Sequence, residues 1–390
     1  MKREIYFDNA ATTPVSEEVL KEMIPYFTSK FGNAGSMHEK GLEALKVVYE
    51  SRRKVAEYLN CEPNEIIFTA SGTESDNLAV LGYARKNKNK RKHIIVSNIE
   101  HPAVHNCALQ LKKEGFDVTF LEVDKEGLID LAKLKRAIRK DTILVSIMYA
   151  NNEIGVIQDI SAIGKLCHEH KIIFHTDACQ AVQYLDIDVK KLNVDLMSLN
   201  GSKINGPKGI GVLYLKKGVE VEPIIYGGEQ EFGLRSGTEN VPLIVGFTKA
   251  LEIARKNVDK NIEHVKKLST RLINGLLKIE ETKLNGSRDK RLPNNVNISF
   301  LNIEGESIIL MLNEEGICVS TGSACSSKSL EPSRIIIALG VPHEVAHSSI
   351  RFTLNNFNTE KEVDFVIEKI TEIVKKLRAM SPLNESFKRM

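Results

Sequence analysis

Between about residue 60 and residue 215, short apolar runs rich in β-branched residues alternate with longer amphipathic stretches. That alternation predicts repeated strand-helix units on a largely parallel sheet. The expected strands are Ile66 to Thr69, His93 to Ser97, Ile143 to Met148, Ile172 to His175, Leu196 to Leu199 and Gly211 to Leu215. The expected helices between them are Glu74 to Lys86, Ala103 to Glu114, Leu131 to Arg139 and Ile160 to His170. After Pro242 the pattern predicts one long charged helix, Leu243 to Ile279, a strand near Asn295 to Phe300, a helix near Gly305 to Asn313 and a final helix from Thr359 to Met380. The first region reads as a doubly wound α/β core and the second as a smaller α+β unit.

Composition narrows the class. A chain of 390 residues with 42% hydrophobic content can bury a large core and is long enough for two domains. Lys+Arg 54 against Asp+Glu 51 leaves a net charge of +3, with basic residues thinly spread, so nucleic acid is not the expected partner. No segment has the apolar length of a signal peptide or a membrane span, so no membrane association is expected and the cytoplasm is the expected location. The 6 cysteines form no Cys-x-x-Cys pair, which argues against a zinc module or a disulfide framework. Cys61, Cys107 and Cys167 sit in or beside helical patterns and read as small buried hydrophobes.

In open parallel sheets, ligands bind at the carboxyl ends of the strands. Ser71-Gly72-Thr73 follows the first expected strand and opens a helix, a turn that suits a phosphate and equally an ordinary helix cap. Asp177 ends the run Ile172 to Asp177, where a carboxylate needs a partner: a protonated pyridine nitrogen or a backbone cap. Lys203 follows Leu196 to Leu199 inside the Gly-rich turn Asn200-Gly201-Ser202-Lys203-Ile204-Asn205-Gly206, where desolvation can make a lysine nucleophilic. An acid and then a lysine one unit later is what bound pyridoxal 5'-phosphate requires, the acid keeping the ring an electron sink and the lysine holding the aldehyde.

Here a resemblance becomes specific. From Tyr6-Phe7-Asp8-Asn9-Ala10-Ala11 nearly to Ser381-Pro382-Leu383, the chain resembles the NifS/IscS group of cysteine desulfurases, within the class V aminotransferases of fold type I. The motifs Ser71 to Asn77, Glu100-His101, Asn151-Asn152-Glu153-Ile154-Gly155, His175 to Gln180, Leu234 to Thr238, Gly322 to Ser327 and Ser348 to Phe352 follow in the family's order. The resemblance implies an α/β fold, with a large domain (15–250) holding a mostly parallel sheet covered by helices. A smaller α+β domain (1–14 and 251–390) would carry the Cys325 loop.

It also implies roles. Lys203 matches the lysine that holds the aldehyde, Asp177 the acid at the pyridine nitrogen, Gln180 and Asn152 the groups near the phenolic oxygen, and His101 the imidazole stacked on the ring. Asn152 also stands at the substrate. Thr73 matches a phosphate ligand, and Thr238 matches one reaching across a homodimer boundary. Arg351 matches the grip on the substrate carboxylate, for which a guanidinium fork is suited. Cys325 matches the cysteine that accepts sulfur, and its Ser-rich surroundings, Ser320 to Ser329, read as an exposed loop. The implied reaction removes sulfur from L-cysteine, giving alanine and a persulfide on Cys325 for a sulfur-acceptor protein such as an iron-sulfur scaffold.

Two positions depart from the family. Asn200 stands where a serine is usual and Ser202 where a histidine is usual; Asn200 can still donate to a phosphate, whereas Ser202 cannot carry a proton as imidazole does. The alternatives are therefore a selenocysteine lyase or another class V enzyme, and a weakly active assembly partner in which Ser202 marks reduced turnover.

Overall fold

The computed structural model describes residues 4–89, 92–322 and 332–380. The chain opens with a short strand, β1 (Ile5–Tyr6), and two helices, α1 (Glu17–Thr28) and α2 (Glu39–Leu59). Ser16 caps α1 by accepting from the Val19 N–H, and Asn60 ends α2 in the left-handed conformation that asparagine tolerates. There follow β2 (Ile66–Thr69) and α3 (Gly72–Asn77), which runs through a π-helical turn, Leu78–Gly82, into α4 (Tyr83–Lys86). Next come β3 (His93–Ser97), α5 (Pro102–Lys113), β4 (Asp117–Leu121), α6 (Leu131–Ala137), β5 (Thr142–Ser146), α7 (Ile160–Glu169), β6 (Ile173–Asp177), β7 (Leu196–Asn200) and β8 (Gly211–Leu215).

The remaining elements are α8 (Val241–Lys256), α9 (Val258–Leu276), β9 (Thr282–Leu284), β10 (Asn295–Phe300), α10 (Gly305–Glu314) and β11 (Ile317–Cys318). They end with α11 (Arg334–Ala338), α12 (His343–Ala346), β12 (Ser349–Thr353) and α13 (Glu360–Met380). Among the described residues no helix is long and apolar enough to cross a membrane.

Seven strands form the main sheet in the order β2-β8-β7-β6-β5-β3-β4. Only β8 runs against its neighbours; the other pairings are parallel. β2, β3 and β5 are buried at every position, because helices cover both faces. Alternate side chains serve the two sides. Ile95, Val145 and Phe174 pack with α1, α2, α7 and α8, while Ile94, Val96 and Leu144 pack with the α3 to α5 stretch. The chain reverses its direction of travel across the sheet between β3 and β5, so a crevice opens beyond their carboxyl ends.

A second core gathers β10 and β12 of a three-stranded antiparallel sheet with α9, α10 and α13, through Leu272, Val296, Phe300, Leu312, Phe352 and Ile370. Ile5 of the first strand and Phe7 just after it belong to this core. β1 pairs with β11, and the backbone beside Asp8 bridges to Thr353.

Several expectations need correction. The long helix Leu243 to Ile279 is two helices, because Asn257 leaves the helical conformation (φ −111°, ψ 13°) and its side-chain amide donates to the Ile253 carbonyl. The helix expected from Glu74 begins at Gly72, capped by Ser71, and widens into its π-helical turn. The strand expected over Ile143 to Met148 is Thr142–Ser146, and β6 runs on to Asp177 itself. β4 was not among the expected strands; only Leu121 is buried and Asp117 is exposed, so its apolar signal is weak.

Candidate functional site

The carboxyl ends of five strands converge on one cavity of about 200 Å³. Thr73 arrives after β2, His101 after β3, Asn152 after β5, Asp177 at the end of β6, and Asn200 with Lys203 at the end of β7. Gln180 and Arg351 complete the set, the latter carried in from β12 of the second core. Eight expected site residues thus line a single space, although their positions in the chain span residues 73 to 351.

Each is held by local hydrogen bonding. Asp177 is buried and one oxygen accepts from the Cys179 N–H at 2.9 Å, so the carboxylate cannot swing away. His101 caps α5, its Nδ1 accepting from the Ala103 N–H at 3.1 Å. Lys203 sits in a 3₁₀ turn capped by Asn200, and its Nζ donates to the Ala11 carbonyl. The Gln180 amide donates to the Ala10 carbonyl at 3.0 Å. Arg351 donates to Asp8 Oδ1 at 2.6 Å and to the Asn152 carbonyl at 3.0 Å.

Two expected residues are absent from this lining, and a third is outside the described residues. Ser202, which the family's pattern places beside Asn200 as a cofactor-binding residue, does not line this cavity; its hydroxyl donates to Asn200 Oδ1 at 3.1 Å. Thr238 is exposed beside a second cavity that includes Glu231 and Arg235. Its segment is fastened twice. Arg235 donates to Glu74 at 2.8 Å, and buried Glu231 takes a two-point grip from Arg52 at 2.6 and 2.8 Å. Cys325 lies outside the described residues.

The structure adds residues that the sequence reading passed over. Asp76 lies one helical turn beyond Thr73 and faces the cavity; ligating atoms of Asp76, His101 and Asp177 all fall within 4.8 Å of one another. Burial, reinforced by the charge of Asp177, raises the Asp76 pKa well above the carboxylate range. The Asp76 Oδ1 atom is buried without a hydrogen-bond partner. Behind it His175 is enclosed, bonded to Ser146 at 2.8 Å and Ser198 at 3.1 Å, and burial lowers its pKa to about 4, so it is neutral. Glu100, whose pKa burial raises to about 8, accepts from the Ser97 hydroxyl and from the Met148 N–H at 2.9 Å. The i, i+3 spacing of Thr73 and Asp76 was the available signal for the first of these.

The residues present fit pyridoxal phosphate. A lysine and a buried acid face one cavity, and a helix opens beside them at Gly72, where a Cβ would come within 2.6 Å of Cys179 Sγ. The glycine keeps open the approach to the first turn, whose N–H groups have no intrahelical partner.

The other thiols are unsuited to nucleophilic work. Burial raises the pKa values of Cys61, Cys107 and Cys167 to about 12, and it also lifts those of Cys179 and Cys318. Cys179 lines the cavity as a protonated thiol.

A family model described as aminotransferase class-V matches residues 5–366. Over 382 residues the chain is 54% identical to the cysteine desulfurase IscS of Methanosarcina thermophila, covering 98% of this chain and 94% of that protein. It is 48% identical over 389 residues to the cysteine desulfurase IscS of Dictyoglomus turgidum, covering 100% and 99% respectively. Among solved structures, a NifS-like protein superposes with a TM-score of 0.91 at 38% identity, covering 96% of this chain and 100% of that one. SspA in complex with cysteine superposes with a TM-score of 0.80 at 36% identity, covering 91% and 100%.

Proposed function

Because the chain belongs to the class-V aminotransferase family and, within it, to the cysteine desulfurases, which depend on pyridoxal phosphate, we propose that its cavity binds the cofactor and L-cysteine and that Cys325 accepts the sulfur. The observation that carries this reading is the convergence of Lys203, Asp177, His101 and Arg351 on one cavity from separate parts of the fold.

Thr73 and Asn200 would hold the phosphate, Asp177 the proton on the ring nitrogen, His101 the ring face, and Asn152 with Gln180 the phenolic oxygen. Bound there, the cofactor supplies an aldehyde for Lys203 and a ring that stores electrons. Arg351 orients L-cysteine by its carboxylate. Lys203 Nζ takes the proton from the substrate Cα and later returns one. The Cys325 thiolate attacks the substrate sulfur; the new S–S bond forms as the Cβ–S bond breaks, its electron pair passing to carbon, which is protonated to give alanine. The persulfide then passes to an acceptor protein such as an iron-sulfur scaffold. A cytoplasmic setting belongs to the same reading.

A homodimer is supported by an apolar face on the first two helices. Leu20, Ile24 and Phe27 recur at helical spacing on α1, as do Leu42, Leu45 and Tyr49 on α2, and all are about half exposed. Thr238 would reach the partner's phosphate. The division into a large domain, 15–250, and a small one, 1–14 with 251–390, is supported by the separation of the two main cores, with Leu251 and Ala254 at the end of α8 still packed in the first.

The test is Cys325→Ser. Its hydroxyl stays protonated at neutral pH, so the variant should still bind L-cysteine and change the cofactor's absorption, yet yield neither alanine nor a protein persulfide by mass spectrometry. Alanine release at the wild-type rate would remove Cys325 from the reaction.

A further inference from the structure

Arg351, the residue read above as the clamp for the substrate carboxylate, already holds a carboxylate of its own chain. Its Nη2 donates to Asp8 Oδ1 at 2.6 Å and its Nη1 to the Asn152 carbonyl at 3.0 Å, while its buried Nε has no hydrogen-bond partner among the described residues. The arginine side chain is 1% exposed and that of Asp8 18%. Asp8 is not a passing contact. Its neighbours are tied to β12 on both sides, the Thr353 N–H donating to the Phe7 carbonyl at 2.7 Å and the Asn9 N–H to the Thr353 carbonyl at 3.3 Å. The Tyr6 hydroxyl donates to the Asp8 carbonyl at 3.1 Å. The backbone therefore fixes one carboxylate against Nη2 of the guanidinium, while the Nε–H is left without a partner.

We propose that Asp8 is a specificity-determining residue, an internal carboxylate that competes with the substrate's own for Arg351 and so sets how tightly the site holds α-carboxylates. The proposal rests on the clamp reading of Arg351. A guanidinium buried without a counter-ion is costly, so Asp8 stabilises the site before substrate arrives. The same charge repels the ligand that Arg351 is there to bind. A ligand without a carboxylate leaves the Arg351–Asp8 pair undisturbed.

The test uses holoenzyme and calorimetric titration with L-alanine, which has the carboxylate but no sulfur to transfer, and with cysteamine, which has the amine and thiol but no carboxylate. Asp8→Asn keeps the size of the side chain and an oxygen for Nη2 while removing the charge. L-alanine should bind Asp8→Asn on the order of tenfold more tightly, the effect of removing one like charge from a shielded site, and cysteamine should bind as it does to wild type. Asp8→Ser must move L-alanine in the same direction. Arg351→Ala, titrated in parallel, should bind L-alanine more weakly. If Arg351→Ala weakens L-alanine but Asp8→Asn leaves it unchanged or weaker, Asp8 is not a competitor and the clamp stands. Equal shifts for L-alanine and cysteamine would also overturn the proposal. If Arg351→Ala binds L-alanine as wild type does, the clamp reading itself fails and takes the proposal with it.

Discussion

Glu100 carries a proton at neutral pH, because its burial raises the pKa to about 8 from an ordinary 4.5. The folded protein binds that proton more tightly than the unfolded chain. Its contribution to stability is therefore complete below about pH 4.5 and is lost as the pH rises toward about 8. Glu100→Gln should remove that slope, since an amide keeps the oxygen that accepts from Ser97 and Met148 and has no charge to acquire. Urea midpoints compared at about pH 5 and about pH 8 should fall less for the variant than for wild type; an identical fall would assign the slope to other groups. Gly72 offers a steric test of the same region. Its Ala variant places a methyl 2.6 Å from Cys179 Sγ, and overpacking of this kind costs roughly 1–3 kcal/mol. Cys179→Ala should restore most of the loss in the double variant, a coupling that denaturant melts can measure. The sequence made Lys203 and Asp177 legible because each stands at the end of an apolar strand pattern, whereas His101 was legible only through the family's motif. It did not expose Asp76 or Asp8, whose significance lies in partners distant along the chain, Asp177 and Arg351.

Among the elements, the turn Gln230–Gly233 is held against its own preferences. Glu231 (φ 46°) and Phe232 (φ 61°) are consecutive left-handed residues without being glycine. What holds them is the Glu231 carboxylate, gripped by Arg52 and by the Phe68 N–H at 2.9 Å, with the guanidinium lying between the Phe68 and Phe232 rings. Glu231→Ala strands the buried Arg52 charge and should cost about 3–5 kcal/mol in chemical denaturation. Hydrogen exchange should quicken from Gln230 through Thr238, and exchange at the wild-type rate would show that the segment is held by other contacts. Strands were readable here wherever both faces are buried, because β3 and β8 carry apolar runs, Ile94 to Val96 and Val212 to Leu215. The break at Asn257 was not readable from periodicity, since the apolar positions on either side keep helical spacing and only the asparagine's own hydrogen bond ends the first helix.

At the scale of the molecule, the apolar face of α1 and α2 gives the proposed homodimer its test. Phe27→Asp places a charge on that face and should yield monomer in light scattering, with faster loss of cofactor if Thr238 serves the partner's site. A variant that stays dimeric with unchanged cofactor retention would move the interface elsewhere. Fold class was legible from the alternation of strands and helices alone. The joining of the two cores was not, because residues 5 to 13 tie them together through contacts that no local pattern encodes: Ile5 and Phe7 to β11, Asn9 and Ala10 to Thr353, and Thr13 to Ser202.

That seam also imposes an order in time. Asp8 and Arg351 are 343 positions apart, so a ribosome adding roughly 5–20 residues per second needs roughly 20–70 s between making the first and making the second. For most of that interval Ile5 and Phe7 have been synthesised but β10, β11 and β12, the strands that bury them, have not. Residues 5 to 8 are thus made early yet are among the last to settle, and a nascent chain released before Arg351, however well its central sheet has formed, has no clamp for a carboxylate and no lining for its cavity on that side.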